Sequence, residues 1–190
     1  SNYFINEASK NIKEEHLISE LKAMALVSQK KNSEALAIYE KLSKDFPGND
    51  MYYYAMATIY FDNKDFDKAE IFYRKSMAIS PLNPDTLNNL GYMFVEQNKK
   101  FEEAKELIEK ARILKPYAGY ILDSLGWLYF KMDDMKNAQK YLERSYSLSE
   151  EDYELCEHLY KLYEKIGETE KAKQFKEKSV ELKKKKDAEN

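Results

Sequence analysis

The sequence predicts an all-helical protein built as a linear array of antiparallel helix pairs. Three observations carry that expectation. Pro and Gly are scarce, four and five in 190 residues, which leaves little room for β-hairpin turns or glycine-rich phosphate loops. Ala35, Ala69, Ala104, Ala138 and Ala172 recur at intervals of 34, 35, 34 and 34 residues. Pro47, Pro81 and Pro116 each follow one of those alanines by 12 residues. A period of this length, with a small residue and a late proline at fixed phase, belongs to helix–turn–helix units that bury their apolar faces on their neighbours.

Residues 1–15 come first. Phe4, Ile5, Ala8 and Ile12 stand 34 residues before Ile38, Tyr39, Leu42 and Phe46, so a helix around residues 3–14 is expected, either the second helix of a partial preceding repeat or an N-terminal cap. The first full unit, 16–49, keeps Ala23, Leu26, Ala35, Tyr39 and Pro47 but has Ser19 and Lys22 where apolar residues are expected. Unit two, 50–83, reads Tyr53-x2-Met56-Ala57-x2-Tyr60, then Ala69-x3-Tyr73, then Pro81. Unit three, 84–118, reads Leu87-x2-Leu90-Gly91-x2-Phe94, then Ala104-x3-Ile108, then Pro116, with one extra residue in the turn Asn98-Lys99-Lys100. Unit four, 119–152, reads Leu122-x2-Leu125-Gly126-x2-Tyr129, then Ala138-x3-Leu142, with Glu150 in place of Pro. Unit five, 153–186, keeps Cys156, Leu159, Tyr163 and Ala172 and ends in a heavily charged capping helix, followed by a tail at 187–190. About eleven helices follow from this register.

The pattern has a packing reason. Gly91, Gly126 and Ala57 lack bulk where the two helices of a unit come closest, and Ala69, Ala104 and Ala138 do the same on the second helix. Larger side chains would force the axes beyond the usual separation of about 8–10 Å. Pro at the end of a unit stops the second helix and sets the turn into the next.

These motifs resemble the tetratricopeptide-repeat (TPR) family strongly in the three middle units and cover nearly the whole chain. The resemblance implies a right-handed α-α superhelical solenoid that binds other proteins. Leu122-Asp123-Ser124-Leu125-Gly126-Trp127, with Leu90-Gly91-Tyr92 one unit earlier, is similar to a segment of bacterial TPR proteins, many of them exported or at the cell envelope. That likeness implies a bacterial protein and favours the periplasm or cell envelope over the cytoplasm.

Composition narrows the partners. Net charge is −3 with 34% charged residues, a mixed-sign surface that gives no general reason to bind nucleic acid. Only three of the 31 cationic residues are Arg, whereas Arg forks dominate sites built for phosphate or carboxylate. The single cysteine, Cys156, excludes an intrachain disulfide framework. No stretch approaches the 18 apolar residues of a membrane span. The chain opens on Ser1-Asn2 rather than Met, which points to a trimmed start and to upstream repeats, a signal or an anchor.

Catalytic chemistry finds little footing. His16 and His158 have no partner at metal-ligand spacing and are read as surface or partly packed residues, and Cys156 as a small core residue. Cys156, Glu157 and His158 cannot close into a nucleophilic set, because neighbours on a helix point about 100° apart. No phosphate-loop, nucleophile-elbow or zinc-protease motif is present. Glu102-Glu103 and Asp133-Asp134 sit at helix starts, where they favour the positive helix end. Lys183 to Lys186 read as a charged helix end, with no interleaved aromatics or arginines to make an RNA surface. No cofactor and no metal are expected.

In a TPR solenoid the first helix of each unit lines the concave surface, and the stripe opposite its core contacts faces the groove. In unit two that stripe carries Tyr54, Thr58, Phe61 and Asp62; in unit three Asp85, Asn88, Asn89, Tyr92, Val95 and Glu96; in unit four Tyr120, Asp123, Trp127, Phe130 and Lys131. A concave face rich in Tyr and Trp has the composition of binding hot spots. Partial exposure is expected for Tyr54, Tyr92, Tyr120 and Trp127, while Phe61 and Phe130 serve equally well as sideways packing. Only Asn88, Asn89 and Lys131 suit a carboxylate clamp, so an extended or helical peptide with apolar anchors fits better than a charged C-terminal tail. The expected function is a protein-binding scaffold or adaptor, not an enzyme, with weak self-association as a further contact. A peptide-responsive sensor and a structural spacer of a larger TPR protein are the alternatives.

Overall fold

Helix caps and prolines set the element boundaries. In the computed structural model, which describes residues 2–149 and 152–189, ten helices are formed and no strand occurs among the described residues. They are α1 Asn2–Ser28, α2 Asn32–Asp45, α3 Asp50–Asp62, α4 Phe66–Ile79, α5 Pro84–Glu96, α6 Phe101–Leu114, α7 Gly119–Lys131, α8 Met135–Tyr146, α9 Tyr153–Ile166 and α10 Thr169–Glu189. Pro47, Pro81 and Pro116 each stand one residue beyond a C-cap, at Phe46, Ser80 and Lys115, because a residue before Pro is steered out of helical geometry. N-caps follow side-chain chemistry: Asn49 accepts from the Met51 amide, Asn83 from Asp85 and Thr86 with Pro84 in the first turn, and Asp152 from Glu154 and Leu155. Each oxygen satisfies backbone donors that have no partner inside the helix.

One expectation is corrected here. A separate helix over residues 3–14 was expected, but α1 runs unbroken from Asn2 to Ser28. No Pro or Gly interrupts that stretch, and repeat phase alone does not break a helix. The side chains of Phe4, Ile5, Ala8 and Ile12, and the site of Glu150, lie outside the described residues. At the other end α10 continues through Glu189, past the expected stop at 186.

The turns inside the helix pairs share one geometry. Lys30, Lys64, Asn98, Asp133 and Gly167 have φ of 59, 61, 52, 64 and 83°. The following amide then reaches back to a carbonyl five residues earlier, as in Asp65 to Tyr60 and Asp134 to Tyr129, both 2.9 Å. That left-handed ending closes helix carbonyls that would otherwise face nothing. The extra residue of the third pair is absorbed by a second left-handed residue, Lys100, at φ 49°.

The chain divides into two compact units, Ser1–Pro81 and Leu82–Asn190. Within the first, α1 packs on α2 and α3 on α4, and α2 meets α3 over a core of Ala23, Leu26, Ala35, Tyr39, Leu42, Tyr52, Met56 and Ile59. Within the second, α5–α6, α7–α8 and α9–α10 are the tight pairs, and α5, α7 and α9 also touch in sequence, forming a layer of first helices. The close crossings need small residues. A Cβ on Gly126 would stand 2.7 Å from Leu142 Cγ and 2.9 Å from its backbone nitrogen, and one on Gly91 2.7 Å from Ile108 Cγ1. Ala57, Ala69, Ala104 and Ala138 have no exposed surface at all.

Candidate functional site

The two units treat their first-helix faces differently. In the second unit the face is closed by its own side chains. Trp127 on α7 is 5% exposed. Its ring stacks on His158 of α9, centroids 4.1 Å apart, and on Phe130, 4.7 Å apart. Its Nε1–H donates to Glu96 Oε1 of α5 at 2.7 Å. Lys131 and Lys161 lie 5.0 and 5.3 Å from the ring centroid, an arrangement that covers the indole further. The expectation of an exposed Trp127 is therefore corrected: one helix on each side, α5 and α9, seals it.

His158 was missed as an organising residue. It is buried, not a surface residue, and its Nδ1 lies 2.8 Å from Asp123 Oδ1 on α7. The equivalent position in earlier repeats holds Ala55, Asn89 and Ser124, so repeat averaging hides it. Among the described residues no group of three His, Cys, Asp or Glu side chains could hold a metal ion. Asn88 is a second correction, only 3% exposed; its Nδ2 donates to Asn89 Oδ1 at 3.2 Å.

Val95, placed on the same stripe by the sequence, is fully buried as well, and the other predicted residues of this face are half-buried or open. Asn89, Tyr92, Asp123, Phe130 and Lys131 are half-buried. Burial, and then the nearby Glu96 carboxylate, push the Tyr92 hydroxyl well above its usual range. Tyr120 is 43% exposed and donates to Asp85 Oδ1 at 2.5 Å, with Lys115 Nζ 3.3 Å from its oxygen. Burial and that bond to Asp85 raise its pKa to about 12, so it stays a neutral donor on a charged ledge. What this unit offers a partner is an edge around a filled centre.

In the first unit the equivalent space stands open. A cleft of about 550 Å³ lies between α1 and α3, lined by Met24 and Val27 on one wall and by Met51, Tyr54, Ala55, Thr58 and Ile59 on the other. Tyr54 and Thr58 thus share one site, while Phe61, half-buried, packs against Phe66 at 5.9 Å instead. Thr58 takes the repeat position that Trp127 fills in α7, and its Oγ1 is spent on the Tyr54 carbonyl at 3.1 Å. Glu20 marks the polar rim, accepting from the Tyr52 hydroxyl at 2.5 Å. Volume and lining match sites that take apolar ligand groups. Met24 and Met51, each more than half exposed, add adaptable surface. The signal for this cleft was present in the sequence as Met24 and Thr58, small or flexible residues at positions that later repeats fill with Tyr92 and Trp127.

Comparison with known proteins follows the geometry. Two tetratricopeptide-repeat models match, one over residues 21–84 and one over residues 120–152. No curated protein matches the chain. Among solved structures it is similar to PilW, described as a widely conserved type IV pilus biogenesis factor, with TM-score 0.78 and 22% identity over 89% of this chain and 78% of that one. It is also similar to PilF of Pseudomonas aeruginosa, with TM-score 0.74 and 22% identity over 90% and 77%. The TPR protein TTC0263 of Thermus thermophilus gives 0.75 and 18% identity over 88% and 91%. At these identities the likeness establishes the fold.

Proposed function

From the chain's membership of the tetratricopeptide-repeat family, a family of protein–protein interaction scaffolds, we propose that it recruits a polypeptide segment through its first-helix face, by binding and not by catalysis. The anchor is the cleft between α1 and α3. Its open apolar volume of about 550 Å³ is the observation that carries the reading, because the corresponding space in the second unit is filled by Trp127. A segment with aromatic or long aliphatic side chains at helical or alternate spacing suits such a site. In the second unit Asn89, Tyr92, Tyr120, Asp123, Phe130 and Lys131 form a separate candidate contact of mixed polar and aromatic character. Asn88, buried, acts only by holding Asn89.

Bacterial envelope assembly is the setting we favour. PilW, a structural relative in fold, is a type IV pilus biogenesis factor, and the Leu122-to-Trp127 segment resembles bacterial envelope TPR proteins. Among the described residues no helix is long and apolar enough to cross a membrane. The test uses peptides selected from a random display library on the immobilised chain. Thr58→Trp supplies from within the side chain that α7 already carries, and should weaken the selected peptides at least tenfold while leaving the helical content unchanged. Undiminished binding by a folded Thr58→Trp chain contradicts the cleft as anchor.

A further inference from the structure

The cleft between α1 and α3 has a polar end. Although 34% of the chain is charged, among the described residues lining the cleft Glu20 alone is charged. Its side chain is 29% exposed, and its contacts fall on one oxygen. The Tyr52 hydroxyl donates to Oε1 at 2.5 Å, and His16 Nε2, bonded to that same hydroxyl, lies 3.4 Å from Oε1. Among the described residues nothing is bonded to Oε2. Burial first, and then the Glu20 carboxylate, hold the hydroxyls of Tyr39 and Tyr52 above their usual range. Both line the cleft, so the Glu20 charge acts on its floor.

The second unit shows how this chain satisfies a carboxylate at the same position. Glu20 of α1 and Asp123 of α7 hold one repeat phase, and so do Ala55 of α3 and His158 of α9. His158 Nδ1 lies 2.8 Å from Asp123 Oδ1, with the imidazole flat on Trp127. Lys161 of α9 adds an ammonium 5.3 Å from the indole centroid, and its counterpart on α3 is Thr58. Helix α3 therefore opposes Glu20 with Ala55 and Thr58, which are short and uncharged. The first unit keeps the acceptor and the apolar wall. It lacks the ring N–H donor and the cation that the second unit carries within itself.

We infer, on the reading that this cleft anchors a polypeptide, that the bound segment supplies the missing cation itself, as a Lys ammonium on Glu20 Oε2 beside an apolar side chain seated over Ala55 and Thr58. Charge selects a cation, since an acidic side chain would meet Glu20 with no Lys or Arg in the described lining to offset it. Geometry selects Lys over Arg. A guanidinium fork takes both carboxylate oxygens, and Oε1 is held by Tyr52, whereas an ammonium needs one oxygen. Spacing follows from α1: Glu20 stands about 6 Å along the helix axis from Met24 and about 10 Å from Val27. An extended segment covers that distance in two or three residues at about 3.3 Å each.

Peptides selected from a random library on the immobilised chain, resynthesised with acetylated N-termini, are titrated by fluorescence anisotropy against the native chain and against Glu20→Gln, which keeps an acceptor for Tyr52. The expected peptides carry Lys two or three residues from an aromatic or long aliphatic residue. Glu20→Gln should weaken them about fivefold, the upper end for a partly exposed ion pair, with helical content unchanged. Replacing the peptide's Lys by norleucine should cost the same factor on the native chain and nothing further on Glu20→Gln, because both changes remove one contact. Two losses that multiply, or no loss from either change, overturn the ion pair. Thr58→Trp reports separately on the cleft, whose anchoring role stands if that variant abolishes binding. Binding undiminished by Thr58→Trp overturns the cleft and the ion pair together. Selected peptides that carry Arg instead, or neither cation, overturn the ammonium.

Discussion

Removing the Trp127 side chain should unfold part of the second unit's packing before it affects any binding. The indole is 5% exposed, lies flat between His158 and Phe130, and donates to Glu96 across from α5. Trp127→Ala therefore loses a large buried ring and leaves a cavity, a change that costs about 3–5 kcal/mol. At about 2–4 °C of melting temperature per kcal/mol for a chain of this length, the midpoint should fall by roughly 6–20 °C. Trp127→Phe keeps most of the stack and removes the Nε1–H donor, so its cost should be nearer the value of one bond to a charged acceptor, about 1–3 kcal/mol. Urea unfolding followed by far-ultraviolet circular dichroism is the suitable assay, because the variants remove the only tryptophan. A loss below about 1 kcal/mol for Trp127→Ala would refute the sealed geometry and return the residue to the solvent-facing groove. In the native chain, iodide should not quench the Trp127 emission.

Three further outcomes are expected. Gly126→Ala should destabilise by about 1–3 kcal/mol through overpacking against the Leu142 backbone, while Gly48→Ala, whose Cβ meets nothing within 4 Å, should change little; equal denaturation midpoints would contradict the close crossing. Lys30 holds a left-handed φ of 59° on an exposed turn, so Lys30→Gly should raise stability by up to about 1 kcal/mol and Lys30→Val should lower it, read from the same urea curves. Cys156 is fully buried and burial pushes its thiol up to about 11, which keeps it protonated at pH 8. It should react with an aromatic disulfide reagent only on unfolding, and prompt stoichiometric labelling of the folded chain would contradict this.

The sequence carried the helix pairs because their determinants are local and repeated. Gly91, Gly126 and the alanine series mark crossings that any repeat must make, and Pro47, Pro81 and Pro116 mark stops that act within two residues. The candidate face was harder to read for a physical reason. Whether Trp127 is exposed depends on Glu96 and His158, 31 residues to either side, on helices that converge only after the array is stacked. His158 breaks the repeat pattern at a position where Ala55, Asn89 and Ser124 are ordinary, so averaging over repeats erased the residue that closes the face. The α1–α3 cleft was obscured in the opposite way. Thr58 and Met24 look plain beside the aromatic residues of later units, yet the missing bulk is what leaves the space. The continuity of α1 was equally invisible to repeat phase, which fixes positions along a helix and not where the helix begins.

The most direct test of the account is a titration of the isotopically labelled chain with a peptide selected for binding, monitored through methyl and amide chemical shifts. The account predicts that the largest changes fall on Met24, Met51, Ala55 and Ile59 around the cleft, with none at the indole of Trp127. Changes centred on Trp127 and Leu128, with the α1 and α3 methyls unmoved, would contradict it.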